Sequence, residues 1–394
     1  MKIIVAVLLF ILTSTAPAAS AIAETAEPAH IDEPKVEASG AVLMDYWTGR
    51  VLWGKNEHTP MAMASTTKIM TAVLALESGK LDEMCVASKR AAYEPKVKMG
   101  LSPGETIKLS DLLYALMLES QNDAAVAIAE HIGGTVEDFC VKMTEKAKEI
   151  GANDTVFETP NGLDKGDHHS TAYDMAIITR YALMNPEFVK LINTKEISFK
   201  SDRRSYSFIN KNRFLYEYEG ANGVKTGFTN KAGHCFVGAA LHGDMELITV
   251  VLLSGKSARW ADTKGMMNYG FTNFKYRGIA KTGWRAGIVP VTRSRSKMME
   301  CVFGGDVMLP LRSDEADCVK IERHLPEIVI APVEKGDVLG EADVSVNGQL
   351  LARVPLTAAS GVERHDFKTS IEKVLNCAAR LSTQADVKIV LPEF

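Results

Sequence analysis

The sequence predicts an α+β fold, an antiparallel sheet with helices clustered against it, followed by a small all-β sandwich domain. Three observations lead there. Helical patterns, such as residues 124–132 and 136–150, lie between β-like segments at the two ends of residues 37–278. Two of those segments, 234–241 and 246–254, flank His242-Gly243-Asp244, which has the composition of a hairpin turn. From Ile279 onward helical periodicity fades and short β-like runs dominate, among them 327–331 and 342–348.

Taken in order, residues 1–23 have the make-up of a secretory signal: Lys2 as a short positive region, an apolar run over 3–12, and Ala19-Ser20-Ala21 or Ala21-Ile22-Ala23 as a small-residue cleavage site. That run is too short to span a bilayer stably. Residues 24–36 form a polar leader with Pro28 and Pro34. The remaining length divides into two domains, 37–278 and 279–361, and a tail over 362–394. In the tail Phe367, Ile371, Val374, Leu375, Ala378 and Leu381 fall at helical spacing, with Lys368, Lys373 and Arg380 between them, whereas 386–391 looks strand-like.

Charge and cysteine use exclude several classes. With 45 basic and 49 acidic residues the net charge is −4, which gives no footprint for nucleic acid. The six cysteines do not form a compact framework; Cys301 with Cys318 is the one pairing suggested, and Cys235 is expected as a small buried residue of an apolar strand. No His/Cys cluster has metal-ligand spacing and there is no P-loop or dinucleotide fingerprint, so neither metal nor cofactor is expected.

The chemistry is carried by three short motifs: Ser65-Thr66-Thr67-Lys68, Ser120-Gln121-Asn122 and Lys225-Thr226-Gly227. A serine hydroxyl needs an adjacent base to become a nucleophile. Residues three apart share a helix face, so Lys68 can reach Ser65 if the tetrad opens a helix. The Gly- and Pro-free, strongly apolar run over 66–77, ending near Gly79, predicts that helix and predicts its burial. A lysine held there is desolvated and its pKa depressed, which suits it to accept a proton near neutrality. Ser120 and Asn122 follow a helix-like run over 109–119; at a bend both can point one way, the hydroxyl to relay a proton and the amide to hold a peptide carbonyl and Lys68. Lys225 supplies charge and Thr226 a hydroxyl for a carboxylate, and Gly227 lets a substrate backbone approach a sheet edge. Singly, each motif reads as well as a snorkelling lysine, a helix cap or a Gly-rich turn.

In this order the three motifs resemble those of the serine-type D-alanyl-D-alanine carboxypeptidases, the low-molecular-mass penicillin-binding proteins of peptidase family S11. The likeness extends to residues 45–52, to Thr159-Pro160-Asn161-Gly162-Leu163, to His169-Ser170-Thr171-Ala172-Tyr173-Asp174 and to the stretch from Gly223 through Cys235, and covers roughly residues 38–360. The resemblance implies a β-lactamase/transpeptidase-like catalytic domain. It makes Ser65 the acylated nucleophile, Lys68 its base, and Ser120 and Asn122 helpers in proton transfer and substrate positioning. Lys225, Thr226, Gly227, Phe228 and Arg259 become substrate-binding residues, with the N–H groups of Ser65 and Phe228 as the oxyanion hole. His169 takes the place of the family's near-site histidine, with His168 beside it leaving the register open. Expected partners are peptidoglycan stem peptides and β-lactam antibiotics, on the outer side of the cytoplasmic membrane. The tail then reads either as an amphipathic helix on that membrane or as a helix packed on the β domain. Gln121, Phe228 and His234 depart from the usual pattern without removing a reacting group. A β-lactamase and a binder without turnover are the rival readings: the long C-terminal domain and the match around His169 oppose the first, the intact Ser65, Lys68 and Lys225 the second.

Overall fold

The computed structural model describes residues 32–365 and 367–383. The expected signal segment, most of the leader and the strand-like 386–391 lie outside these residues.

The chain opens with the hairpin β1 (Gly40–Asp45) and β2 (Val51–Lys55), then a 3-10 turn, Ala64–Thr67, running into α1 (Lys68–Glu77). Next come β3 (Met84–Val86), α2 (Lys89–Ala92) and β4 (Thr106–Lys108), followed by α3 (Leu109–Leu118), α4 (Asn122–Gly133) and α5 (Val136–Glu149). After a long irregular stretch lie α6 (Ala172–Leu183), α7 (Pro186–Asn193), the small hairpin β5 (Glu196–Lys200) and β6 (Ser205–Ile209), and the short α8 (Phe214–Glu217). The strands β7 (Ala221–Thr229), β8 (Gly233–His242) and β9 (Met245–Ser254) then lead to α9 (Ala258–Asn273). The expected hairpin turn is present between β8 and β9, and Gly243 takes φ +62 there.

The main sheet has the order β2-β1-β9-β8-β7, every pair antiparallel. Its central strands are buried on both faces, and the period of two splits their side chains between two cores. Val42, Met44, Val237, Ala239, Ile248 and Val250 pack toward α1 and the helices around it; Leu43, Phe236, Ala240, Leu247 and Val251 pack toward α9. Helix α1 is buried almost all round, as its composition requires. The helices enclosing it start on local caps: Thr135 Oγ1 accepts from Asp138 N at α5, and Thr171 Oγ1 from Asp174 N at α6.

The second unit comprises β10 (Lys275–Ala280), β11 (Arg285–Thr292), β12 (Met298–Phe303), β13 (Val307–Leu311), β14 (Val319–His324), β15 (Val329–Ile330), β16 (Val338–Val346) and β17 (Gln349–Ala358), then α10 (Phe367–Thr383). A six-stranded sheet, β14-β16-β17-β12-β11-β15, faces the pair β10-β13 across one core built from Ala280, Val307, Leu309, Val344 and Leu356. The boundary expected at Gly278 falls inside β10: Phe274 and Tyr276 pack with the first domain, Ile279 and Ala280 with the second. The suggested Cys301–Cys318 bridge is not formed. Cys301 is a buried free thiol within β12 and Cys318 a half-buried free thiol at the end of the 3-10 turn Ser313–Cys318; Cys235 is buried and free, as expected.

Candidate active site

The tetrad begins one turn before the helix. Ala64 adopts φ +49 and starts the 3-10 turn, in which Thr66 Oγ1 donates to Met63 O (2.6 Å) and Thr67 Oγ1 to Ala64 O (2.8 Å). Both threonine hydroxyls thus bond back to carbonyls three residues earlier and tighten the turn. Lys68, the first residue of α1, projects back over it, and its Nζ lies 2.9 Å from Ser65 Oγ, 2.9 Å from Asn122 Oδ1 and 2.5 Å from Asn161 O. It has no solvent exposure. Burial, and then the charge of Lys225, hold its pKa well below the usual lysine range; Glu94 and Asp123 pull weakly the other way.

Ser120 sits at the bend between α3 and α4 with φ +65, a conformation uncommon outside glycine, and its buried Oγ has no hydrogen-bond partner. Asn122 opens α4, accepting from Lys68 and donating through Nδ2 to Pro95 O (3.1 Å). Edge strand β7 brings the third motif. A Cβ on Gly227 would lie 3.0 Å from Ser65 N and 3.1 Å from the Ala64 Cβ, so glycine lets the strand pass this close to Ser65. Lys225 is buried, and its Nζ donates to Thr226 O at 3.2 Å. Desolvation, then Arg259, push its pKa down to about 7.

Phe228 is exposed, and its ring packs on His234 at 4.4 Å. Arg259, in the first turn of α9, donates from Nη1 to His234 Nδ1 (2.7 Å) and lies over the Trp260 ring, while its buried Nε lacks a partner. Lys225, Thr226 and Arg259 therefore border one side of the site with positive charge and open donors, an arrangement that suits a carboxylate.

The two neighbouring histidines have different surroundings. His169 Nδ1 bonds to Asp167 at its own loop, whereas His168 is the buried ring, with Nε2 2.9 Å from Thr67 Oγ1. Neighbouring side chains of an extended segment point to opposite faces, and residue 169 pairs with Val156 in a single β-bridge. Asn161, noted from sequence only within the stretch over 159–163, and Glu94 were not expected as site residues. Asn161 reaches Lys68 with its carbonyl oxygen, which also lies 3.3 Å from Ser65 Oγ, while its Nδ2 donates to Glu94 Oε2 (2.9 Å). The following Gly162, with φ +85 and no room for a Cβ, is the one trace of that close approach in the sequence. A cavity of about 480 Å³ beside Cys140, Phe157 and Glu158 contains none of the motif residues.

Comparison with known proteins places these features in company. Residues 11–255 match the family described as D-alanyl-D-alanine carboxypeptidase, and residues 274–364 that described as penicillin-binding protein 5, C-terminal domain. The D-alanyl-D-alanine carboxypeptidase DacF of Bacillus subtilis (strain 168) is 32% identical over 359 residues, 89% of this chain and 91% of that one. DacC of Escherichia coli (strain K12), also a D-alanyl-D-alanine carboxypeptidase, is 31% identical over 379 residues, 89% and 90% of the two chains. Among solved structures, penicillin binding protein 5 from Haemophilus influenzae superposes with a TM-score of 0.72 at 29% identity, over 85% of this chain and all of that one.

Proposed function

We infer how the site works from one premise: the chain belongs to the D-alanyl-D-alanine carboxypeptidase family, with the C-terminal domain of penicillin-binding protein 5. It is a serine-type D-alanyl-D-alanine carboxypeptidase of the cell wall. The observation that carries the assignment of roles is the environment of Lys68. A neutral amine has two N–H bonds and one lone pair. At Lys68 the two hydrogens are matched by Asn122 Oδ1 and Asn161 O, which leaves the lone pair for the third neighbour, the Ser65 hydroxyl at 2.9 Å.

In this reading Ser65 Oγ bonds to the carbonyl carbon between the two terminal D-alanines as its proton passes to Lys68. The negative charge that forms is met by the N–H groups of Ser65 and Phe228. The C–N bond then breaks, the departing D-alanine takes the proton from Lys68 by way of the Ser120 hydroxyl, and water hydrolyses the ester. Lys225, Thr226 and Arg259 hold the terminal carboxylate, and a β-lactam is held by the same groups and opened by the same serine. Trimming the last D-alanine limits the stems that serve as donors for cross-linking, which connects the reaction to cell shape.

Export by residues 1–23 agrees with a substrate outside the cytoplasm. No helix among the described residues is long and apolar enough to cross a membrane. Helix α10 leaves Ile371, Val374 and Leu375 exposed at helical spacing, which supports peripheral contact with the membrane surface through the tail.

The test is release of D-alanine from diacetyl-Lys-D-Ala-D-Ala. The mature protein should release it and retain labelled penicillin, and a folded Ser65→Ala variant should do neither. D-Alanine release by that variant would exclude Ser65 as the nucleophile.

A further inference from the structure

We propose that His168 is a positioning residue for acylation, acting through Thr67 on the peptide group that presents the Ser65 N–H to the substrate. The proposal rests on the reading of Ser65 as nucleophile and oxyanion donor, and adds to it the group that holds that donor in place.

The hydrogen bonds run in one direction. Glu158 N donates to His168 Nδ1 at 3.0 Å, so Nδ1 is the acceptor and the ring hydrogen is on Nε2. Nε2–H is then the donor in the 2.9 Å contact with Thr67 Oγ1. The Thr67 hydroxyl hydrogen remains for Ala64 O, 2.8 Å away. Each bond in such a chain polarises the next. All three side-chain atoms are removed from water, since His168 is 4% exposed and Thr67 fully buried.

The end of the chain falls on the reacting group. Ala64 C=O and Ser65 N–H belong to one planar trans peptide unit, in which the two bonds point in opposite directions. Fixing the Ala64 oxygen therefore fixes the aim of the Ser65 N–H, the donor assigned to the oxyanion. The peptide needs external support: Ala64 sits at φ +49, where a residue with a side chain is disfavoured by roughly 1 kcal/mol or more. The peptide is held from two further sides. Gly162 is so near that a Cβ there would come within 1.9 Å of Ala64 O, and a Cβ on Gly227 would meet Ser65 N and the Ala64 Cβ. His168 supplies the polar third of this clamp.

Three variants test it: Thr67→Val, His168→Leu and His168→Gln, whose amide nitrogen can still donate toward Thr67. The readouts are kcat and KM for D-alanine release and the rate of acylation by labelled penicillin. Thr67→Val and His168→Leu should each lower kcat and acylation about tenfold to a hundredfold, with KM within about threefold. Combined, they should be no worse than the poorer single variant, and His168→Gln should recover most of the rate. A purely structural role would lower thermal stability and leave kcat of the folded protein unchanged. The proposal is overturned by wild-type acylation in folded Thr67→Val, by losses that multiply in the double variant, or by His168→Gln as slow as His168→Leu. If His168→Leu does not fold, Thr67→Val and His168→Gln decide the matter. A wild-type protein that released no D-alanine would instead remove the Ser65 reading beneath it.

Discussion

Lys68 and Lys225 occupy one desolvated site, and the proposed mechanism requires opposite charge states of them. Lys68 must be neutral to take the Ser65 proton, so activity rises as pH climbs through its depressed pKa, set by burial and by Lys225. Lys225 must be charged to hold a carboxylate. Its pKa, lowered to about 7 by burial and Arg259, puts the loss of that charge on the alkaline side. The pH profile of kcat/KM is therefore expected to be bell-shaped, its limbs belonging to the coupled pair in the free enzyme. In a Lys225→Arg variant, charged at every accessible pH, the alkaline limb should vanish whatever the height of the maximum; its persistence would assign it elsewhere. Gly227 makes a second residue-scale prediction. Because a Cβ there would lie 3.0 Å from Ser65 N, Gly227→Ala should fold but misplace β7 or the nucleophile by a few tenths of an ångström. A loss of about tenfold to a hundredfold in penicillin acylation is expected, with little change in melting temperature.

Among the elements, the irregular stretch between α2 and β4 walls the site. The buried Asp123 carboxylate near the start of α4 accepts from Met99 N (3.0 Å), Gly100 N (2.8 Å) and Leu101 N (3.1 Å). Held this way, the stretch offers Pro95 O to Asn122 Nδ2, Val97 O to Asn122 N and Glu94 to Asn161. Asp123→Ala deletes these three bonds and a fourth, from Ala124 N (3.0 Å), and should cost about 3 kcal/mol or more in denaturant unfolding. It should also open the peptide bonds after Lys96 and Lys98 to trypsin; an unchanged digestion pattern would show that Asp123 does not anchor this wall. None of this was legible in the sequence, because backbone N–H and carbonyl groups have no letter of their own. The helices were. Apolar spacing gave α3, α4 and α5 within a few residues of their observed ends, and the run over 66–77 gave α1, although its first two residues belong to the 3-10 turn. The motif residues were legible because each motif is local in the chain. His168 and His169 were not separable, since one step along an extended segment exchanges the buried face for the exposed one.

At the scale of the whole molecule, the β domain is joined to the catalytic domain by a buried ion pair rather than by a linker alone. Arg50, after the β1–β2 turn, meets Glu315 at 2.6 Å with both side chains 7% exposed. The same guanidinium donates to Pro310 O and lies over the Phe274 ring, while Tyr276 Oη donates to Asp45 Oδ1 at 2.5 Å. The division into two domains could be read from the sequence pattern, but this joint could not, because its partners are far apart in the chain and nothing local pairs them. A buried pair gains little over a well-packed apolar pair, yet removing one partner strands the other charge away from water. Arg50→Ala and Glu315→Ala should therefore each lower stability by about 3–5 kcal/mol, and Arg50→Met combined with Glu315→Leu should restore most of it. The wild-type domains, coupled through this joint, should unfold in one transition, and either single variant should split that transition in two. Catalysis gives the control. The joint lies at the β1–β2 end of the sheet and the K-T-G strand β7 at the opposite edge, so at a temperature where Arg50→Ala remains folded its kcat should match the wild type. Single variants that lost less than about 1 kcal/mol would mean the pair is already solvated and the domains are held by other contacts.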